Sequence, residues 1–261
     1  MNSYGHQPQP AGPYGQPPYG HDPHGQGPYG HDPYGAPQAP RATEDDVQRF
    51  TTRVFGWMGM GLGLTAFVAW MLYQTGYVWD IVTSGLALPL FLVQIGLVWY
   101  LSARIYKLSL PAAMGLFLFY SAFNGVVFSS IFVLYELGSI AMVFGITTLM
   151  FGFMFVLGWT TKRDLTSMGS FLIMGVWGLV IASLANFLLK SPALYWAVTY
   201  IGVGIFIGLI AYDAQKIRRM AEQGDVDSEV QQKNSIIMAL AIYLDFINLF
   251  LLLLRILGNR R

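Results

Sequence analysis

Cysteine is absent from the chain, which excludes disulfides, thiolate metal sites and cysteine nucleophiles while leaving the redox state of the compartment open. Charge is scarce: Asp, Glu, Lys and Arg make up 11% of the residues, against about a quarter in soluble domains. With 15 Lys+Arg against 14 Asp+Glu there is no basic excess, and nothing supports nucleic-acid binding. Histidine is missing beyond His31, and the rest of the chain holds no P-loop, nucleophile–base pair or His-rich metal motif. No enzyme activity and no cofactor are therefore expected. The N-terminus also lacks the short apolar core of a cleavable signal peptide, so the first membrane helix is expected to direct insertion.

Apolar residues are what the chain has in abundance, 54% with a mean hydropathy of +0.48, which marks a membrane protein whose partner is the lipid bilayer. Residues 1–40 are the exception. They are Pro, Gly, Tyr, His and Gln, with "PYGHDPHGQG" (18–27) followed by "PYGHDPYGAP" (28–37). A segment almost without aliphatic residues cannot bury enough surface to offset its ordering entropy, so it is expected to be disordered. His6, His21, His24 and His31 all lie here. His21, Asp22, His24 and His31 could hold a transition metal weakly, although a flexible tail with aromatic spacers is the plainer reading.

From residue 41 the character changes. "RATEDDVQRFTTRVF" (41–55) is expected to be a short amphipathic lead-in at the cytoplasmic surface, covering 41–53 ahead of a membrane domain over 54–258. Apolar segments near 54–73, 84–103, 111–134, 139–160, 168–189, 193–213 and 235–255 each approach the ~20 residues that cross a bilayer, which predicts an all-α protein of seven transmembrane helices. With the N-terminus inside, eleven of the fifteen Lys+Arg fall on the inner side, and only Lys190, Arg255, Arg260 and Arg261 lie outside. The positive-inside rule favours that orientation. The C-terminal "RILGNRR" runs against it, and a last segment that enters and turns back is the competing topology.

Among the membrane residues Asp245 stands apart, the twelfth of 21 residues between Lys233 and Arg255, with no cation near it in sequence. An intramembrane carboxylate faces protein or water and points to function. Asp245, Asn248, Leu252 and Arg255 share 3–4 spacing, so one face of a greasy helix carries a polar stripe that should point into the bundle. The plainer alternative is a protonated carboxyl bonded to Asn248 or to a neighbour. Asp213, in "YIGVGIFIGLIAYDAQKI" (200–217), is either a second functional carboxylate or an interfacial one neutralised by Lys216. In the same segment Gly204 and Gly208 form a G-x-x-x-G face open to close helix approach. Arg104 ends the second segment, where its guanidinium can snorkel to the surface or turn inward. Gln94, Asn124, Ser129, Ser130 and Asn186 read as packing glue, and Glu136 as a solvated boundary charge. The Tyr-Asp of "AYD" fits half of the intramembrane aspartyl protease signature, but "IYL" before Asp245 lacks the glycines of the other half.

"LSARIYKLS" (101–109), "TTKRDLTSMGSFLIMGVWGLVIASLANFLL" (160–189), "YIGVGIFIGLIAYDAQKI" (200–217) and "YLDFINLFLLLLRILG" (243–258) resemble the transmembrane Bax inhibitor motif (Bax-inhibitor-one) family, in a bacterial member. The resemblance implies six helices around a central seventh. It further implies a calcium leak gated by a proton-sharing pair, Asp213 and Asp245, with Arg104 as a latch and calcium as the permeant ion between the two carboxylates. Many relatives carry glutamate where this chain has Gln94, which leaves a third acidic pore residue in doubt. The implied location is the bacterial cytoplasmic membrane, multi-pass, with the N-terminus cytoplasmic. The alternative function is an interaction protein that modulates a membrane-anchored ATP-dependent protease or membrane quality control, with the tail as the grasped segment.

Overall fold

The computed structural model describes residues 42–223 and 225–261, so the tail expected to be disordered, with His21, Asp22, His24 and His31, lies outside the described residues. Within them the chain is all α. Its helices are α1 (Glu44–Thr75), α2 (Tyr77–Thr83), α3 (Ala87–Arg104), α4 (Leu110–Phe128), α5 (Ile131–Leu134), α6 (Leu137–Thr160), α7 (Thr166–Leu189), α8 (Pro192–Ala221) and α9 (Glu229–Leu257), with a 3-10 turn over Ile105–Lys107.

Local chemistry sets the ends. Thr43 and Asp46 form a reciprocal capping box that starts α1, satisfying donors no helix can satisfy itself. No proline follows for 32 residues, and residues 44–53 of the expected lead-in form the first turns of α1, which ends where Gly76 takes a left-handed φ of 83°. Prolines stand in the first turns of α4 and α8, where their missing N–H costs nothing.

Among the described residues six stretches are long and apolar enough to cross a membrane: α1, α4 with α5, α6, α7, α8 and α9. The expected second crossing corresponds to α3, an 18-residue helix, about 27 Å long at 1.5 Å per residue. α9 occupies the centre. It is 72% buried where the other five spans are 6–39% buried, and it packs against α1, α4, α6 and α8, while α3 lies on α4 and α7 on α8. It runs unbroken through the bundle. At its far end Glu136 N–H donates to Asn259 O and Arg261 N–H to Leu134 O, each at 3.1 Å, so the C-terminus joins the α5–α6 connection, at the opposite end from residues 222–228.

Candidate functional site

Asp213 and Asp245 are 7% and 5% exposed. They project from adjacent helices, α8 and α9, with their carboxyls close enough to act on each other. Oδ2 of Asp245 is buried without a hydrogen-bond partner among the described residues. Asn248, one turn on, gives its amide to Leu244 O at 2.8 Å instead, because a short amide on a helix reaches its own preceding carbonyl more readily than a carboxyl one turn away. Lys216 is exposed, and among the described residues neither aspartate makes an ion pair. Asp245 thus faces Asp213 rather than a counter-charge, whereas Asp213 also feels the charge of Lys216 without forming an ion pair with it.

Arg104 is not brought to this pair. Its neighbour Ile105 is fully buried in the turn that packs on α9, and Tyr106 OH donates to Asn234 Oδ1 of α9 at 2.8 Å. With Ile105 in the inward position, Arg104 points out and is exposed.

The aspartates are positioned by backbone approach and by loop clamps. A Cβ on Gly158 of α6 would strike the Ala211 backbone, and one on Gly169 of α7 would strike the Tyr212 ring; these two glycines seat α8 against α6 and α7 just ahead of Asp213. The Gly204–Gly208 face divides instead of acting as a pair: Gly208 receives Leu172 of α7, Gly204 meets nothing, and Gly202 receives Leu252 of α9. Below Asp213, Gln215 accepts from Leu165 N–H at 2.9 Å and donates to Arg163 O at 2.8 Å. Arg219 bonds Asp164 at 2.5 Å. The Thr166 hydroxyl, with the Arg219 guanidinium, holds the Asp164 carboxyl well below the usual carboxylate range. Residues 226 and 227, between α8 and α9, are held to α1: Arg53 donates to Val226 O at 2.8 Å and to Asp227 at 3.1 Å, and Arg49 to Asp227 at 3.3 Å.

A second polar group lies where α9 faces α1 and α4. Tyr243 is fully buried, its hydroxyl 2.7 Å from Thr65 Oγ1. Thr65 can send its own proton to Gly61 O at 2.9 Å or Ser121 O at 2.8 Å. Gln94 donates to Asn124 Oδ1, and Asn124 Nδ2 is buried without a partner among the described residues. Of the isolated polar positions of the sequence, Gln94 and Asn124 thus pair across helices, whereas Ser129 and Ser130 donate to carbonyls three residues back and Asn186 accepts from Ser191 N–H. Tyr243 and Thr65 carried no signal there, because Tyr and Thr are ordinary in apolar helices.

A family model described as "Inhibitor of apoptosis-promoting Bax1" matches residues 47–261. The "Inner membrane protein YbhL" of Escherichia coli is 51% identical over 225 residues, covering 85% of this chain and 95% of its own length. A protein of Borreliella burgdorferi is 45% identical over 215 residues (82% and 93%), and one of Deinococcus radiodurans 42% over 220 residues (84% and 94%).

Proposed function

The chain belongs to the Bax inhibitor-1 family of membrane proteins, and from that premise we propose that it is a pH-sensitive cation leak, with calcium as the permeant ion. The burial of Asp213 and Asp245 on adjacent helices, close enough to act on each other, carries this reading. Two carboxyls in contact cannot both ionise cheaply, so they share a proton and titrate as a pair. Losing that proton leaves a negative site for a cation, and Ca²⁺, a hard ion, suits carboxylate oxygen. Among the described residues no three His, Asp or Glu side chains gather, whereas a retained Ca²⁺ takes about 6–8 oxygens. Two carboxylates favour passage over storage.

Arg104 enters as the counter-cation of a second, closed conformation, in which the end of α3 turns its guanidinium to the deprotonated pair. Counting α3 as the second of seven crossings puts the N-terminus and the clamped loops on the side rich in Lys and Arg, the cytoplasmic side. The inner-membrane description of the Escherichia coli relative supports a bacterial cytoplasmic membrane for this chain.

The test is calcium flux through the full chain in liposomes loaded with a calcium dye, at stepped pH. Flux above empty liposomes that changes with pH is expected. Permeability equal to empty liposomes at every pH would reject the leak and leave the interaction role, modulation of a membrane-anchored protease.

A further inference from the structure

The arginines that violate the positive-inside rule are placed in one structure at the far end of α9. Arg255 lies over the Tyr195 ring, 5.4 Å from its centroid. Arg260 donates to Tyr195 OH at 3.0 Å and lies 5.9 Å from the centroid of Tyr135. All three terminal arginines, Arg255, Arg260 and Arg261, are exposed. Neither Asp80 nor Glu136, the carboxylates at that end of the bundle, pairs with them among the described residues. The rings hold the guanidiniums in place but leave their charge uncompensated.

The aromatic platform continues from the charge into the lipid-facing surface. Tyr195 and Trp196 meet edge to face at 5.6 Å, and Trp196 stacks on Tyr200 at 5.7 Å. Trp196 and Tyr200 are 41% and 59% exposed on the first turns of α8, the level at which Trp and Tyr sit in a membrane interface. A guanidinium binds a phosphate oxygen pair through parallel N–H groups, and a ladder of rings running away from it offers a flat path for an acyl chain.

We propose that Arg255 and Arg260, fixed on Tyr195, bind the phosphodiester of an anionic phospholipid in the leaflet at this end, with its chain laid along Trp196 and Tyr200. The charge complementarity also accounts for cations on the side where the rule disfavours them: a bound anionic headgroup supplies the counter-charge that the protein lacks. The site is independent of the leak.

The test uses the full chain in detergent with phosphatidylglycerol, phosphatidylcholine or inorganic phosphate, read by native mass spectrometry and by thermal shift. Wild type should retain phosphatidylglycerol over phosphatidylcholine, and only phosphatidylglycerol should raise the melting temperature. Near-surface charges contribute roughly fivefold in affinity per arginine, so Arg255→Gln with Arg260→Gln should remove most of that preference at low salt. Arg255→Lys with Arg260→Lys, which keeps the charge but loses the fork, should retain an intermediate preference. If the Gln pair does not fold, the wild-type mass spectra and the Lys pair decide. Equal retention of the two lipids by wild type overturns the proposal, as does a preference untouched in the Gln or the Lys pair. An equal thermal shift with inorganic phosphate overturns the lipid in favour of a free anion.

Discussion

The 18-residue membrane stretches of α7 and α9 have almost the same mean hydropathy, 2.1 and 2.4, yet 6% of one and 72% of the other is buried. In water such helices would both seek the core. In a bilayer the lipid tails are as apolar as leucine, so hydropathy says that a helix enters the membrane but not whether it faces lipid or protein. Polar content decides. α9 carries Asp245 and Tyr243, which need partners from α8 and α1. Asn186 of α7 accepts from Ser191 N–H at 3.0 Å just beyond its own helix, and its outer-end residues Phe187, Leu188 and Leu189 are 63–80% exposed.

The largest expected effect separates these two helices directly. Leu249 of α9 is fully buried and Leu188 of α7 is 80% exposed. Leu249→Ala should cost about 2–5 kcal/mol through lost contacts and a cavity, and Leu188→Ala within about 0.5 kcal/mol, since lipid refills the space. Unfolding in detergent micelles measures both, and equal losses would break the comparison.

Next in size is the effect of Arg104, on the peripheral helix α3. Removing a latch worth roughly 1.4 kcal/mol shifts closed against open about tenfold. Arg104→Ala should therefore raise calcium leak about that much at the pH where wild type leaks least, and Arg104→Lys by less, in liposomes at matched protein content. Unchanged leak in both variants would return Arg104 to surface anchoring.

Tyr243→Phe removes the hydroxyl bonded to Thr65 but keeps the ring. A loss of about 0.5–1.5 kcal/mol is expected, read in the same unfolding assay, and Thr65→Val combined with it should cost less than the sum of the two single losses, because both remove the one bond the two side chains share. Full additivity would mean that the two side chains do not interact.

The smallest effect concerns Asp164. Its carboxyl is held below the ordinary aspartate value by Thr166 and Arg219, so its stabilisation is present above that ordinary value and is lost only as pH falls through its lower folded value. Between pH 5 and 8 it is constant. Asp164→Asn should speed amide exchange in residues 161–165 and leave the pH midpoint of flux where it is in wild type; a moved midpoint would make the loop part of the sensor.

The long apolar runs made the membrane helices legible, and an unpaired carboxylate in the last of them identified Asp245 as buried. Sequence spacing could not reveal which glycines meet another helix: Gly158 and Gly202 make close approaches while Gly204 makes none, because the contact depends on helix rotation. Nor could it join Arg53 to Asp227, 174 residues apart, or show that burial of Ile105 turns Arg104 outward. These are properties of chain connections, whose pairing follows from the assembled bundle rather than from local pattern.

The pair itself is tested most directly by calcium flux against pH for wild type, Asp213→Asn, Asp245→Asn and the double variant, each reconstituted at equal density. An amide keeps the shape of the carboxyl but cannot ionise. If one shared proton sets the gate, either single substitution should flatten the pH dependence and the second should add nothing. A single variant whose flux still follows pH as wild type does, or single effects that add in the double, would contradict a shared site.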